Sequence, residues 1–192
     1  MLDTLVWVLR ISVWLWLLAE LVLQARQYHA GGRATVTEWR SLGVILLSVG
    51  IGEVLASLAV RDVPALGLHI PWVVAFSVAI PVLWFGVGFR VWAIHTLGRY
   101  FRFVVHVQQG HKVVEHGPYR LVRHPSYSGL LLAIAGASLL VNNILGIVAL
   151  LACVFAGAYY RIRVEERVLT RELGAEYSTY AAHTARLLPG VW

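Results

Sequence analysis

Charge is scarce in this chain. Asp, Glu, Lys and Arg make up 14% of its 192 residues, against about a quarter in soluble domains. With 59% hydrophobic residues and a mean hydropathy of +0.71, that deficit excludes an ordinary soluble domain and indicates an integral membrane protein. Cysteine is nearly absent. The single thiol, Cys153, lies in an apolar run and has no partner for an internal disulfide, which excludes a disulfide-stapled secreted scaffold. It reads as a small lipid- or core-facing side chain. No linker is long enough to separate two domains, and there is no internal repeat or low-complexity tract. What charge remains is basic, +6 net. In a membrane protein this marks cytoplasmic loops rather than a nucleic-acid partner.

Apolar runs are what the chain has in abundance. Residues 5–23 are interrupted only by Arg10, Ser12 and Glu20 and are long enough to cross a hydrocarbon layer of about 30 Å. They lack a signal peptide's basic start and cleavage site, so a retained helix is expected. Arg10 and Glu20 sit near span ends, where their head groups are expected to snorkel. Residues 42–60 form a second span, with Gly43, Gly50 and Gly52 offering close helix approach. Residues 70–89 form a third, kinked at Pro81. Residues 129–141 and 144–160 are shorter. Asn142-Asn143 separates them and favours a turn, so they read as a helical hairpin. Val164, Val168, Leu169 and Leu173 recur at helical spacing, which carries the fifth helix on to a stop at Gly174. Residues 176–183 form a further short helix.

The expected fold is therefore an all-α integral membrane protein with about five transmembrane helices: three spans plus a hairpin over 126–160. Residues 1–94 hold the N-terminal helices, and 95–192 hold the polar loop, the hairpin and the tail. An external N-terminus puts fourteen of the sixteen Lys and Arg residues on one side, all but Arg10 and Arg61. The positive-inside rule then places the C-terminus in the cytoplasm.

Two polar clusters flank the hairpin, and the turn between its arms brings them to one membrane face. The first is the His-rich segment from His95, ending in Arg123-His124-Pro125-Ser126-Tyr127. Pro125 suits the first turn of a helix and pushes His124 into an extended conformation. The free N–H groups of that turn could hold a carboxylate. His106, His111 and His116 are five apart, a spacing that does not stack on a helix face, and no Cys or Asp accompanies them, so a metal site is not expected. The segment reads either as a basic loop near anionic headgroups or as a cofactor loop. The second cluster is Arg161, Arg163, Glu165 and Glu166. Arg161 and Glu165 lie four apart on one helix face. They read either as a surface ion pair or as separate ligand groups, Glu165 accepting from an amine or hydroxyl and Arg161 holding an anion. Glu53, mid-span, is expected to be a structural carboxyl bonded to a neighbouring helix.

Residues His111 to Tyr119, Arg123 to Gly129, Arg161 to Glu166 and Gly174 to Tyr177, in that order and spacing, closely resemble the isoprenylcysteine carboxyl methyltransferase family. The resemblance covers residues 95–192. It implies a membrane-embedded S-adenosylmethionine-dependent carboxyl O-methyltransferase acting on a lipidic, isoprenylcysteine-like substrate at the cytoplasmic face. Carried over position by position, it implies cofactor contacts from His111, Lys112, Val113, Val114, Tyr119, His124, Pro125, Ser126, Tyr127 and Glu165. His106 stands where the family has a glutamine, a departure from the pattern. Arg161 matches the arginine that holds the substrate carboxylate.

Other readings within reach are a phospholipid or small-amphiphile methyltransferase, a nicotinamide-dependent membrane reductase related to sterol reductases, and a non-catalytic subunit. The reductase reading lacks upstream spans and a Gly-x-Gly-x-x-Gly loop. The chain's size and lack of a retrieval motif fit a prokaryotic member in a bacterial inner membrane, and no nucleic-acid partner is expected.

Overall fold

A computed structural model describes residues 2–30, 34–101, 105–108 and 112–190. Six helices follow the apolar pattern: α1 (Leu2–Ala30), α2 (Arg40–Asp62), α3 (Trp72–Leu97), α4 (Pro125–Ser138), α5 (Ile144–Leu173) and α6 (Ala175–His183). Helices α2, α3 and α5 are long and apolar enough to cross a membrane, and α1 and α4 carry shorter apolar stretches. This is the five-helix membrane architecture read from the sequence. Two short strands add to it. β1 (Ala34–Glu38) pairs antiparallel with β2 (Val105–Gln108), joining the segment after α1 to the segment after α3.

The helices pair as α3 with α4 and α2 with α5. Lipid gives no hydrophobic incentive for helices to associate, so close backbone approach through small residues has to supply it. At Gly136 of α4, an added Cβ would stand 2.5 Å from the Leu83 backbone nitrogen and 2.9 Å from the Ala79 carbonyl oxygen of α3. On the other pair, Gly52 of α2 meets Leu150 and Cys153 of α5, whereas Gly43 and Gly50 face open space. Of the three glycines expected to admit a neighbour in the second span, one does. Outward side chains such as Leu47, Val54 and Phe85 are exposed, as lipid-facing positions must be.

The turns at the hairpin end of the bundle are polar, and their side chains are hydrogen-bonded. Asn142 adopts a left-handed conformation (φ 52°) and ends the first hairpin arm. Its amide donates to the Ile70 carbonyl at 3.0 Å, and its carbonyl oxygen accepts from Ile70 N–H at 3.1 Å. Asn143 caps α5 by accepting from Gly146 N–H and donates to the Val63 carbonyl. The Asn-Asn turn thus also staples the α2–α3 connection. At the opposite end α5 runs unbroken to Leu173, and Gly174 (φ 57°) ends it.

Helix α3 is the main departure. It holds Pro81 inside it and runs past Phe89 to Leu97, so Arg90, expected in the following loop, is a buried helical residue. Gly136→Val should force the α3–α4 backbones apart and cost about 1–3 kcal/mol. Thermal unfolding of the purified protein checks this; a variant as stable as the parent would contradict the packing.

Candidate functional site

The turn before α4 is held by the chain's C-terminal segment. Arg123 N–H donates to the Ala185 carbonyl at 2.7 Å, and His124 N–H to that of Arg186 at 3.0 Å. Ser128 Oγ donates to the Leu187 carbonyl at 2.7 Å. Pro125 opens the helix, and Tyr127 and Ser128 N–H groups donate back to the His124 carbonyl. Glu166 anchors this strap. Its carboxylate accepts from Arg186 Nε at 2.9 Å and lies 3.5 Å from Arg123 Nε and 3.4 Å from His124 Nε2. Glu165 and Glu166, one cluster in sequence, therefore part company: Glu166 is a structural anchor, and Glu165 faces the interior cavity.

Arg161 is buried on α5 and reaches two other helices. Its Nε donates to Tyr127 Oη of α4 at 2.6 Å, and its Nη1 donates to Ser41 Oγ of α2 at 3.1 Å. Tyr127 Oη in turn donates to Glu165 Oε2 at 3.0 Å. Arg161 and Glu165 do not form a surface ion pair; the tyrosine hydroxyl stands between them. Ser41 is fixed from behind by Glu38, which accepts from Ser41 N–H at 3.0 Å and Arg40 N–H at 2.8 Å. Burial pushes the Glu38 carboxyl up, but hydrogen bonds from Ser41 and Arg40, with the nearby Arg161 charge, hold it below the usual carboxylate range.

Arg161, Tyr127 and Glu165 line one end of a cavity of about 840 Å³. Of the residues singled out in the sequence, Lys112, Val113, Val114, Tyr119, His124, Ser126, Tyr127, Arg161 and Glu165 all border it. Val113 N–H donates to Glu176 of α6 at 3.0 Å, and the Tyr119 carbonyl accepts from Tyr180 at 2.7 Å, so α6 fixes the loop that forms this wall. Pro125 is buried at the start of α4 and shapes the turn without bordering the cavity. His106 stands opposite Thr37 in the ribbon, its side chain outside the described residues, and His111 lies outside them altogether.

Several site residues escaped sequence reasoning. Glu20 does not snorkel: it forms an ion pair with Arg90 of α3, with 3.2 Å between Arg90 Nη2 and Glu20 Oε2. Arg90 Nη1 also donates to Ser126 Oγ at 2.7 Å and to the Ser126 carbonyl at 3.0 Å. Both ends of this clamp border the cavity, and it ties α1 to the first turn of α4. Only the isolated charges in apolar runs hinted at it. Tyr177, from the Gly174-Ala-Glu-Tyr motif, also borders the cavity, and its hydroxyl is buried with no hydrogen-bond partner. Burial raises the pKa of Tyr177, with the negative charges of Glu166 and Glu165 adding to it. Burial and Glu165 do the same at Tyr119. Tyr177 is therefore protonated at neutral pH and keeps a donor with no acceptor among the described residues.

Glu53 also departs from expectation. Its side chain is exposed and borders the cavity rather than bonding to a neighbouring helix.

Glu166→Gln removes the charge that holds Arg123, His124 and Arg186 together. It should cost about 1–3 kcal/mol and speed proteolytic cleavage within residues 184–190. Unchanged thermal midpoint and cleavage rate would contradict the anchoring role.

Comparison with known proteins agrees with this geometry. Residues 78–171 match the sequence profile of the isoprenylcysteine carboxyl methyltransferase (ICMT) family. A rice protein named as a probable protein-S-isoprenylcysteine O-methyltransferase is 36% identical over 120 residues, 62% of each chain. An Arabidopsis thaliana protein-S-isoprenylcysteine O-methyltransferase A is 34% identical over 122 residues, 62% of this chain and 61% of its own. The match thus spans about three fifths of these relatives, which are eukaryotic and lend no support to a prokaryotic origin. The fold is similar to that of a eukaryotic intramembrane Ras methyltransferase, ICMT, with a TM-score of 0.57 and 24% identity over 76% of this chain and 52% of that one. Across residues 78–171, which hold the hairpin and the Arg161–Tyr127–Glu165 cluster, the chain is similar to the isoprenylcysteine carboxyl methyltransferase family.

Proposed function

We propose that this protein is an S-adenosylmethionine-dependent methyltransferase that esterifies the carboxylate of a lipidic, isoprenylcysteine-like acceptor. The observation that carries the reading is a single cavity with two characters. One end gathers Arg161, Tyr127, Glu165, Lys112, Arg123, His124 and the Glu20–Arg90 pair; the rest, lined by α1, α2 and α4, is apolar apart from Glu53. An acceptor with an acidic head and a hydrocarbon tail matches that division. The basic residues cluster at the polar end, which the positive-inside rule assigns to the cytoplasm, with the N-terminus outside.

The residues suit the methyl donor on one further count. Tyr177 Oη is a buried polar atom of a cavity-lining residue that lacks a hydrogen bond, a condition proteins seldom leave uncompensated. Glu165 could accept from a ligand amine or hydroxyl, and the loop Lys112–Val114, which borders the cavity, could line the cofactor's flank. When bound, S-adenosylmethionine supplies an electrophilic methyl on a sulfonium, whose carbon–sulfur electron pair leaves with neutral S-adenosylhomocysteine.

The acceptor carboxylate is ionised at neutral pH, so no general base is needed. The protein's task is alignment and exclusion of water. Arg161 presents a planar fork suited to a carboxylate. Its aim is set by Tyr127 on one side and Ser41 on the other. Glu165, through Tyr127, balances part of its charge.

The test is methyl transfer from labelled S-adenosylmethionine to a farnesylated thiol acid. Arg161→Ala should lower kcat/KM at least about a hundredfold, equivalent to about 2.7 kcal/mol. Arg161→Lys should recover little of it, because an ammonium cannot reproduce the fork. Parent-like rates in both variants would overturn the assignment.

A further inference from the structure

We propose that Arg163 and Arg167, on the exposed face of α5, bind the phosphate headgroups of anionic phospholipids where the helix leaves the membrane. The inference rests on α5 being a membrane helix and is independent of methyl transfer.

Helix α5 carries one outward row through two environments. Val148, Phe155 and Tyr159 are exposed, and so are Arg163, Arg167 and Arg171. Tyr159 and the three arginines recur at every fourth residue, which puts them in one row along the helix. The row continues the lipid-facing surface of the span, so the first medium it meets beyond hydrocarbon is the headgroup layer. Aromatic side chains at the interface, followed by basic ones on the cytoplasmic side, follow the usual order at a membrane surface.

Heights along the helix decide which arginines reach the phosphates. Ile144, the first residue after the Asn-Asn turn, marks the far boundary of the hydrocarbon. Counted from it at 1.5 Å per residue, Arg163 stands about 28 Å along the axis, Arg167 about 34 Å and Arg171 about 40 Å. The hydrocarbon layer is about 30 Å thick, and each headgroup layer adds about 5–7 Å. Arg163 and Arg167 therefore fall at headgroup level, and Arg171 lies beyond it. A tilt of about 20° shortens all three heights by about 6% and keeps their order.

The protein itself does not neutralise these two charges. Among the described residues, no carboxylate forms an ion pair with Arg163 or Arg167. Arg167 Nε donates to the Arg163 carbonyl at 3.2 Å, which uses one of its donors and none of its charge. Glu166, beside Arg167 in sequence, is taken up by Arg123, His124 and Arg186. Arg171, in contrast, has Glu172 3.3 Å away. Two like charges four residues apart on a helix repel, and an anion shared between them turns that repulsion into attraction. A guanidinium fork matches phosphate oxygens. The bilayer around α5 presents such phosphates at the required height, and an anionic lipid, unlike a zwitterionic one, brings no cation of its own to compete.

The test uses the full-length protein in nanodiscs holding equal amounts of phosphatidylglycerol and phosphatidylcholine. Lipids that stay bound on release are counted by native mass spectrometry. The parent should retain phosphatidylglycerol in preference. Arg163→Gln and Arg167→Gln should each lower the ratio of the two retained lipids about fivefold, and Arg171→Gln by less than about twofold. All three side chains are exposed, and unchanged thermal midpoints check that the variants stay folded. Excess glycerol phosphate should leave the bound lipid in place. Equal retention of the two lipids by the parent, an effect of Arg171→Gln as large as the others, or release of the lipid by glycerol phosphate would overturn the proposal.

Discussion

Arg161 is the group on which the rest of the site depends. A guanidinium buried near the end of a membrane helix is tolerable only if acceptors surround it. Here they come from elsewhere in the chain: the Tyr127 hydroxyl on α4 and the Ser41 hydroxyl on α2. Meeting that demand draws three helices together at one point, and Glu165 joins them through Tyr127. The cavity is what remains beside this junction. Its polar end is fixed because the buried charge is fixed. Its apolar end follows from the same helices continuing into hydrocarbon.

Two further carboxylates keep the junction in place without entering it. Glu166 collects Arg123, His124 and Arg186, and so holds the C-terminal strap against the turn that presents Tyr127. Glu20, on the loosely packed first helix, neutralises Arg90, which holds Ser126. In both cases an ion pair in a nearly dry setting orients a backbone segment. Such pairs add little net stability against an apolar alternative, but removing one partner strands the other. Their value here is geometric.

Much of the fold was legible because its signals are local. Apolar run length marked the helices, Asn142-Asn143 marked the hairpin turn, and Gly174 marked the end of α5. The outline of the site was legible because the His-Pro turn and the Arg161–Glu165 pair stand out against a nearly uncharged chain. The clamp between Glu20 and Arg90 was not, since seventy residues separate its partners and each lies beside an apolar run. The split between Glu165 and Glu166 was equally hidden. Adjacent helical residues point about 100° apart, and only packing decides which one meets the strap and which one meets the cavity. The β1–β2 ribbon escaped for a similar reason: its strands are short, and their pairing is between distant segments.

The most direct measurement of the central claim is calorimetric titration of S-adenosylhomocysteine into the purified protein, with Glu165→Ala as comparison. The account predicts binding with Kd on the order of micromolar in the parent and its loss in the variant, both proteins remaining folded. A folded parent that binds nothing, or a variant that binds as tightly as the parent, would contradict it.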